Sequence, residues 1–443
     1  MLLTDRKVLV VGLGRSGRAA ARVAAAMGAR VAVSDKAKRE DLLEALRDLG
    51  PMIDQVETGG HTPALFRWAD LIVVSPGAPL ADPMFDEARK AGKEIIGEVE
   101  LAYRYLDCPL LGVTGTNGKS TTTALLGAIM QAAGKKVFVG GNLGTPLIEA
   151  LESPAEYDCA VVELSSFQLE AIRRLRASVA ALLNLTPDHL NRYRDFAAYI
   201  EAKCRIFRNQ LPSDAAVLNA ADPRVMAQMP QVRARLYTFG RSGSHAWVDG
   251  VKLRLHSDEF GEAIDIGGFQ LPGAHNRANL EAAALMARLA GADAAAISLA
   301  ANTFTGLAHR LENLGERDGV LFINDSKSTT EDSVRIAIAA MHRPVVLILG
   351  GRDKGADWAA LDETLTGRVR AVVAYGEAAE TIAAALQRTP TRVMPPFATA
   401  LEEAARLARP GDVVLLSPGC TSFDQFKNFE ERGDAMRAWV SQR

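Results

Sequence analysis

Gly112–Thr123 reads GVTGTNGKSTTT, and its interpretation decides the fold. An apolar, strand-like run at residues 109–113 precedes it, and a helix-like run at residues 121–132 follows. Strand, glycine-rich loop, Lys-Ser and helix in this order make a phosphate cradle. Gly115 and Gly118 let backbone N–H groups close around phosphate oxygens. Lys119 adds a point charge, and Ser120 adds a hydroxyl for Mg²⁺. The loop is tighter than the general P-loop, because Val113 stands where that pattern has its first glycine. The competing interpretation is an ordinary strand–helix turn with an exposed lysine. The order of the parts favours a nucleoside triphosphate site.

Working outward, residues 7–107 alternate strand and helix. Strands are expected at 7–11, 30–34 and 71–75, with an Ala-rich helix running to Met27. A break falls at Asp107-Cys108-Pro109. The second block holds buried parallel strands at 159–163 and 179–184. Its character changes over 236–272, where Trp247–Leu255 predicts a hairpin turning at Asp249-Gly250 and 263–271 predicts one more short strand. A helix is expected over 276–289. The third block alternates again, with strands at 320–323, 345–349, 371–375 and 413–417. Ser417-Pro418-Gly419 echoes Ser75-Pro76-Gly77 at the same kind of strand end. The expected fold is α/β with three domains. Rossmann-like parallel sheets at 1–107 and 306–443 flank a central P-loop-type mononucleotide-binding domain at 108–305, which carries a small added antiparallel sheet.

Composition narrows the classes. The 443 residues are 48% hydrophobic and 23% charged, enough for several cores. Lys plus Arg is 51 against 53 Asp plus Glu, so no basic excess points to nucleic acid. Cys108, Cys159, Cys204 and Cys420 are far apart and form no metal-type pair, which reads as reduced thiols. The start, MLLTDRKVLVVG, lacks a signal-peptide layout, and no apolar run reaches membrane-spanning length. A cytoplasmic chain with no membrane partner is expected.

Gly12-Leu13-Gly14-Arg15-Ser16-Gly17 follows one strand and opens a helix, and Asp35 ends the next strand. By rule this is a dinucleotide fingerprint, with the acid on a ribose hydroxyl. Physically the loop says that a phosphate-bearing ligand approaches a helix N-terminus; it does not specify hydride transfer. A tight turn that simply needs glycines is the structural alternative. A second phosphate site beside a triphosphate site points to a nucleotide-linked substrate.

In the central block, Glu163 ends a strand beside the phosphate loop, where Mg²⁺ is held in such sheets. Ser165, Ser166 and Gln168 follow as polar lining, and Asp188-His189 follows another strand end, making His189 a candidate metal ligand. Lys203 shares a helical face with Phe196, Tyr199, Ile200 and Phe207. It is either a snorkelling lysine or a lysine aimed into the site, as a cation or as a carbamylated, carboxylate-like metal ligand. In the third block, His309-Arg310, Asn324–Thr329, Gly350–Gly355 and Ser417–Phe429 place polar loops at strand ends, which together mark a binding face.

Gly115–Ser120, the run Glu163–Gln168, Asn276 to Asn279, His309-Arg310 and Asn324–Lys327 recur in the order of the Mur ligase family, and the chain resembles that family along its whole length. The Gly-Leu-Gly loop, Ser75–Gly77, Ser417–Gly419 and Asp424–Phe429 together narrow the resemblance to the members that add D-glutamate. The resemblance implies ATP-dependent ligation of D-glutamate to UDP-N-acetylmuramoyl-L-alanine through an acyl phosphate and a tetrahedral intermediate, with Mg²⁺, for peptidoglycan synthesis by a monomer. It implies ATP binding by Gly115, Thr116, Asn117, Gly118, Lys119, Ser120, Thr121, Asn276, Asn279, Arg310, Asp325 and Lys327. It implies a UDP-substrate site of Gly14, Arg15, Ser16, Asp35, Lys36, Ser75, Pro76, Gly77, Asn142, Ser165, Gln168 and His189. D-glutamate would meet Thr329, Lys354, Ser422, Phe423 and Phe429. Metals would meet Ser120, Glu163, His189 and carbamylated Lys203, and catalysis would fall to Lys119, Glu163, His189, Lys203 and Arg310. Arg15-Ser16 and Phe423 depart from the family's familiar residues there. The rivals are another Mur or folylpolyglutamate-type ligase, an NAD-dependent dehydrogenase, and a nucleotide switch without an amino-acid site.

Overall fold

Short β-branched runs make the first sheet. Lys7–Val11 (β1), Arg30–Asp35 (β2), Gln55–Thr58 (β3), Leu71–Val74 (β4) and Glu94–Gly97 (β5) pair in parallel in the order β3-β2-β1-β4-β5. The strand order reverses between β1 and β4, so the loops after these two strands open on one crevice. Ser75 Oγ donates to the Gly12 carbonyl at 2.7 Å across it. A Cβ at Gly17 would lie 1.8 Å from that same carbonyl oxygen, so only glycine lets the helix Arg15–Ala26 start so close to the turn. The strands β3 and β5 go beyond the sequence expectation. Both are four residues long, and β3 carries polar residues that mask its period.

The computed structural model describes residues 3–78, 80, 82–142, 144–152, 157–189 and 192–443. The chain divides into two compact units, Met1–Gly268 with Ala278–Thr303, and Phe269–Arg277 with Phe304–Arg443.

The first unit also carries a second sheet. It comprises Leu110–Thr114 (β6), Val137–Gly141 (β7), Cys159–Glu163 (β8), Val179–Leu182 (β9), Ala215–Asn219 (β10), Arg235–Phe239 (β11), Ala246–Asp249 (β12), Lys252–His256 (β13) and Gly261–Asp265 (β14). The order is β14-β13-β12-β11-β10-β9-β6-β8-β7. Strands β6 to β11 pair in parallel, and β12–β14 add the antiparallel extension. The two-residue turn after Asp249 closes its hairpin at the Asp249–Lys252 pair, with Gly250 at φ +62°. The last strand is corrected from 263–271 to 261–265. Its register ends at the Lys252–Asp265 pair, and Asp265 Oδ1 accepts from Gly267 N at 3.0 Å to turn the chain away.

Strand β6 lies between β8 and β9, so the phosphate loop, Glu163 and the segment after Leu182 share one sheet edge. One apolar core joins both sheets of this unit: Val8 and Val10 belong to the same buried cluster as Ala160 and Val162.

The second unit is built on Glu312–Arg317 (β15), Val320–Asn324 (β16), Val345–Gly350 (β17), Val369–Tyr375 (β18), Thr391–Val393 (β19) and Val413–Gly419 (β20), ordered β15-β16-β20-β17-β18-β19. The parallel expectation holds for β16 to β20, while β15 joins the edge antiparallel, making the sheet mixed. The β15 sequence, ENLGER, has no apolar run that would have revealed it. Alternation along β17 and β20 splits the core. Leu347 and Leu415 face one layer of helices, and Val346, Ile348, Val414 and Leu416 face the other. Each such fully buried side chain contributes about 1.5–3 kcal/mol.

Candidate active site

The phosphate loop is held open from below. Strand β6 ends at Thr114, and the helix Lys119–Ala132 begins after four intervening residues. Thr116 N donates to the Asn184 carbonyl at 3.0 Å, and Asn117 N donates to Asn184 Oδ1 at 2.8 Å. Asn184 Nδ2 returns a bond to the Asn117 carbonyl at 3.0 Å. Thr116 Oγ1 accepts from Thr186 N and from the Tyr199 hydroxyl. Gly118 is left-handed at φ +84°, and a Cβ there would sit 2.3 Å from Asn279 Oδ1. The cradle thus closes against Asn279 with no room for a side chain.

Two lysines meet on one carbonyl. Lys119 Nζ donates to Gly115 O at 3.0 Å and Thr116 O at 2.8 Å. Lys203 Nζ donates to Gly115 O at 2.7 Å, and lies over the Tyr199 ring at 4.6 Å. Lys203 is 2% exposed, so the snorkelling alternative fails: its head as well as its stem is buried. Burial pulls the Lys203 ammonium down to about 6, Lys119 pushes the same way, and Asp188 and Glu163 oppose. At pH 7 this amine is mostly neutral.

Glu163 ends β8, is 2% exposed, and accepts from Asn142 Nδ2 at 2.8 Å on Oε1. Its Oε2 is buried with no hydrogen-bond partner among the described residues. A buried carboxylate oxygen without a donor is costly unless a cation covers it. That orphan oxygen beside Lys203 fits a divalent cation. No three His, Cys, Asp or Glu side chains converge on one point among the described residues, so a metal here would draw on other donors. His189 is half-exposed, at φ +53°, with Nε2 3.5 Å from Asp188 Oδ2 and its ring 4.8 Å from Phe167. Burial lowers its basicity against the pull of Asp188, and Lys203 and Lys119 lower it further.

The first sheet's loops complete this unit. Asp35 does not point a free carboxylate outward: Oδ2 accepts from Leu13 N at 2.6 Å and Oδ1 from Ala37 N at 2.8 Å. The acid therefore shapes the glycine loop, which weakens the dehydrogenase interpretation. Gly14 and Arg15 are exposed, Ser16 is half-buried, and Arg15 reaches the Gly144 carbonyl at 2.8 Å. Lys36 pairs with Asp82 at 3.2 Å. Pro76 and Gly77 follow Ser75 on the same crevice. Ser165 and Gln168, expected as lining, form a capping box on the helix Ser166–Glu170, leaving Gln168 Nε2 buried without a partner among the described residues.

In the second unit, Asp325 follows β16 and is buried. Ser417 Oγ donates to its Oδ2 at 2.9 Å and Leu311 N to its Oδ1 at 3.2 Å. Burial pushes this carboxyl up to about 7, against Ser417 and the nearby Arg310 charge. Lys327 Nζ lies 5.7 Å from the centre of the Phe429 ring, and His309 stacks edge-on against the same ring at 6.0 Å. Asn276 Nδ2 donates to Pro272 O at 2.7 Å. Thr329 is half-buried, Ser422 buried, and Lys354 exposed. Phe423 is 60% exposed and packs into no core. Asn184, Thr186 and Asp188 escaped the sequence reading as parts of the site; the polar run after the buried strand at 179–182 was their signal.

A mononucleotide cradle on a parallel sheet edge, beside a Rossmann-like sheet, defines an α/β nucleotide-using protein. Comparison with known proteins makes this specific. Residues 6–97 match the Mur ligase MurD-like N-terminal domain, 113–287 the Mur ligase middle domain, and 309–420 the Mur ligase glutamate ligase domain. The chain belongs to the Mur ligase family. It is 46% identical to UDP-N-acetylmuramoylalanine--D-glutamate ligase of Myxococcus xanthus, over 99% of each chain. It is 47% identical to the enzyme of that name from Anaeromyxobacter dehalogenans, over 98% of this chain and 97% of the other. The fold matches that of the Thermotoga maritima MurF ligase solved with ADP, at TM-score 0.62, 16% identity, and 100% and 99% coverage. It also matches UDP-N-acetylmuramate-alanine ligase MurC of Thermotoga maritima, at TM-score 0.60, 19% identity, and 99% and 100% coverage.

Proposed function

We propose that this chain uses ATP to join D-glutamate to UDP-N-acetylmuramoyl-L-alanine, a step of peptidoglycan precursor synthesis. The observation that carries this reading is relatedness of 46–47% over nearly the whole of both chains to enzymes named for that reaction. The cradle supports it with matching chemistry. A carboxylate does not couple to an amine unaided, because its oxygen is a poor leaving group. The alanyl carboxylate oxygen attacks the γ-phosphorus of ATP, the bond to ADP breaks, and an acyl phosphate forms. The D-glutamate amine then attacks the acyl carbon, giving a tetrahedral intermediate. Collapse expels inorganic phosphate, which carries away one former carboxylate oxygen, and leaves the amide.

We assign the UDP-linked substrate to residues 1–107, ATP to 108–305 and D-glutamate to 306–443. The backbone N–H groups of Gly115–Ser120 and the N-terminal end of the helix Lys119–Ala132 would take the phosphates. Lys119 would exchange its loop carbonyls for phosphate oxygens and stabilise the transferring group. Glu163, Ser120, His189 and a carbamylated Lys203 would hold Mg²⁺, which neutralises charge on the phosphoryl group. Lys203 is suited to carbamylation: a neutral buried amine adds CO2 and loses one proton, and the resulting carboxylate offers a further donor. We assign Arg310, Asp325 and Lys327 to the nucleotide, and Thr329, Lys354, Ser422 and Phe429 to the amino acid.

The test is phosphate release from ATP with UDP-N-acetylmuramoyl-L-alanine and each of several amino acids. Release that requires D-glutamate is expected. Release driven by L-alanine or a diamino acid reassigns the step, and release indifferent to amino acids refutes ligation.

A further inference from the structure

Arg432 is the largest fully buried side chain among the described residues, with 0% exposure, and it lies on the helix Phe429–Ser441. It takes no part in the proposed reaction. Its Nε donates to Ser326 Oγ at 2.9 Å, and its Nη2 to Ser326 O at 2.7 Å. Nη1 and Nη2 both reach Cys420 O, at 3.3 and 3.2 Å, and Nη1 reaches the Tyr375 hydroxyl at 3.0 Å. Ser326 Oγ in turn donates to Phe429 O at 2.8 Å. All these acceptors are neutral. No carboxylate among the described residues pairs with the guanidinium; nearby Asp424 accepts from Glu377 N instead. A guanidinium keeps its charge inside a protein and is expensive to bury. A methionine of similar length would fill the space at lower cost.

The acceptors locate the purpose. Ser326 lies in the loop after β16, next to Asp325 and Lys327. Cys420 lies in the loop after β20, two residues before Ser422. Tyr375 ends β18. The loop after β17 closes on the same point, because a Cβ at Gly351 would lie 2.2 Å from Thr421 O and 3.3 Å from Arg432 Nη1. One planar fork therefore ties together the carbonyls of two loops, the second of which the Arg352–Thr421 bridge also holds.

We propose that Arg432 is the positioning residue of the amino-acid site. Its fork sets the Ser326 and Cys420 loops so that Thr329 and Ser422 stand ready for the incoming amino acid, and its unpaired charge favours an amino acid with a second carboxylate. This rests on the D-glutamate reading above.

The test uses the full chain and steady-state phosphate release, varying each of the three substrates in turn. Arg432→Lys keeps the charge but loses the fork, Arg432→Met loses both, and Tyr375→Phe removes a single acceptor. The expected result is a rise of about tenfold or more in KM for D-glutamate in Arg432→Lys, larger in Arg432→Met. KM for the UDP-linked substrate stays within about twofold, KM for ATP rises less than KM for D-glutamate, and kcat falls less than kcat/KM for D-glutamate. Tyr375→Phe gives a smaller rise, again largest for D-glutamate. If Arg432→Met does not fold, the other two variants decide. Unchanged KM for D-glutamate in folded Arg432→Lys, or three KM values moving together, overturns the proposal while leaving the ligase reading standing. A wild-type chain with no D-glutamate-dependent release overturns both.

Discussion

Replacing Glu98 by Gln should stabilise this protein, and more so as the pH rises. Glu98 opens the helix Glu98–Tyr103 where the two sheets of the first unit pack together. Its Oε1 accepts from Ile148 N at 2.7 Å, but Oε2 is buried with no partner among the described residues. Burial pushes the carboxyl up to about 7 from 4.5, the Ile148 N–H opposes this, and Glu149 adds to it. The folded state therefore holds a proton that the unfolded chain releases above pH 4.5. Stability from this group is fully present below that value and is lost as the pH climbs through about 7. Integrating between the two values gives a penalty of about 1 kcal/mol at pH 5 and about 3 kcal/mol at pH 8. Glu98→Gln cannot ionise and escapes the penalty. Thermal melts of both proteins across pH 5 to 8 should show the variant gaining on the wild type by about 5 °C over that range. Parallel pH profiles for the two proteins would refute the reasoning, since an ionised Glu98 would then be as comfortable inside as in water.

Three further outcomes follow from the site. Gly118→Ala puts a Cβ 2.3 Å from Asn279 Oδ1 at φ +84°, so calorimetric affinity for a non-hydrolysable ATP analogue should fall about tenfold or more. Undiminished affinity would remove the cradle from nucleotide binding. Glu163→Gln removes the charge from the unpartnered buried oxygen, so calorimetric affinity for Mg²⁺ should fall about tenfold or more. The variant should also lose both the thermal shift given by Mg²⁺ and ligase activity; a retained Mg²⁺ shift would place the metal elsewhere. Lys203→Ala should lose activity and recover part of it with added short carboxylates, whereas full activity without them would take Lys203 out of the chemistry.

Much of the fold was legible because its strands are short apolar runs punctuated by glycine loops. The phosphate loop, Glu163 and Asp325 each stand at the carboxyl end of a buried strand, where the sequence places them. What stayed hidden had weak local signals. Strand β15 lies at a sheet edge, where one side needs no apolar residues, so ENLGER reads as a loop. Strand β14 was placed too late because Ile266 and Leu271 extend its apolar pattern past the turn that Asp265 makes. Ser165 and Gln168 looked like ligand lining, yet most of their polar atoms serve a helix cap. Asp35 matched a ribose-binding rule, but only the coordinates show its two oxygens committed to backbone N–H groups. Arg432 was invisible for a different reason: its partners Cys420, Tyr375 and Ser326 lie 12, 57 and 106 residues away, so no local pattern announces it.

The central claim is that ATP activates the alanyl carboxylate by phosphorylating it. Substrate with ¹⁸O in that carboxylate tests it most directly, with the released phosphate analysed by mass spectrometry. One ¹⁸O is expected in each inorganic phosphate formed alongside the amide. Phosphate carrying only solvent or ATP oxygen, while D-glutamate is still being joined, would contradict it.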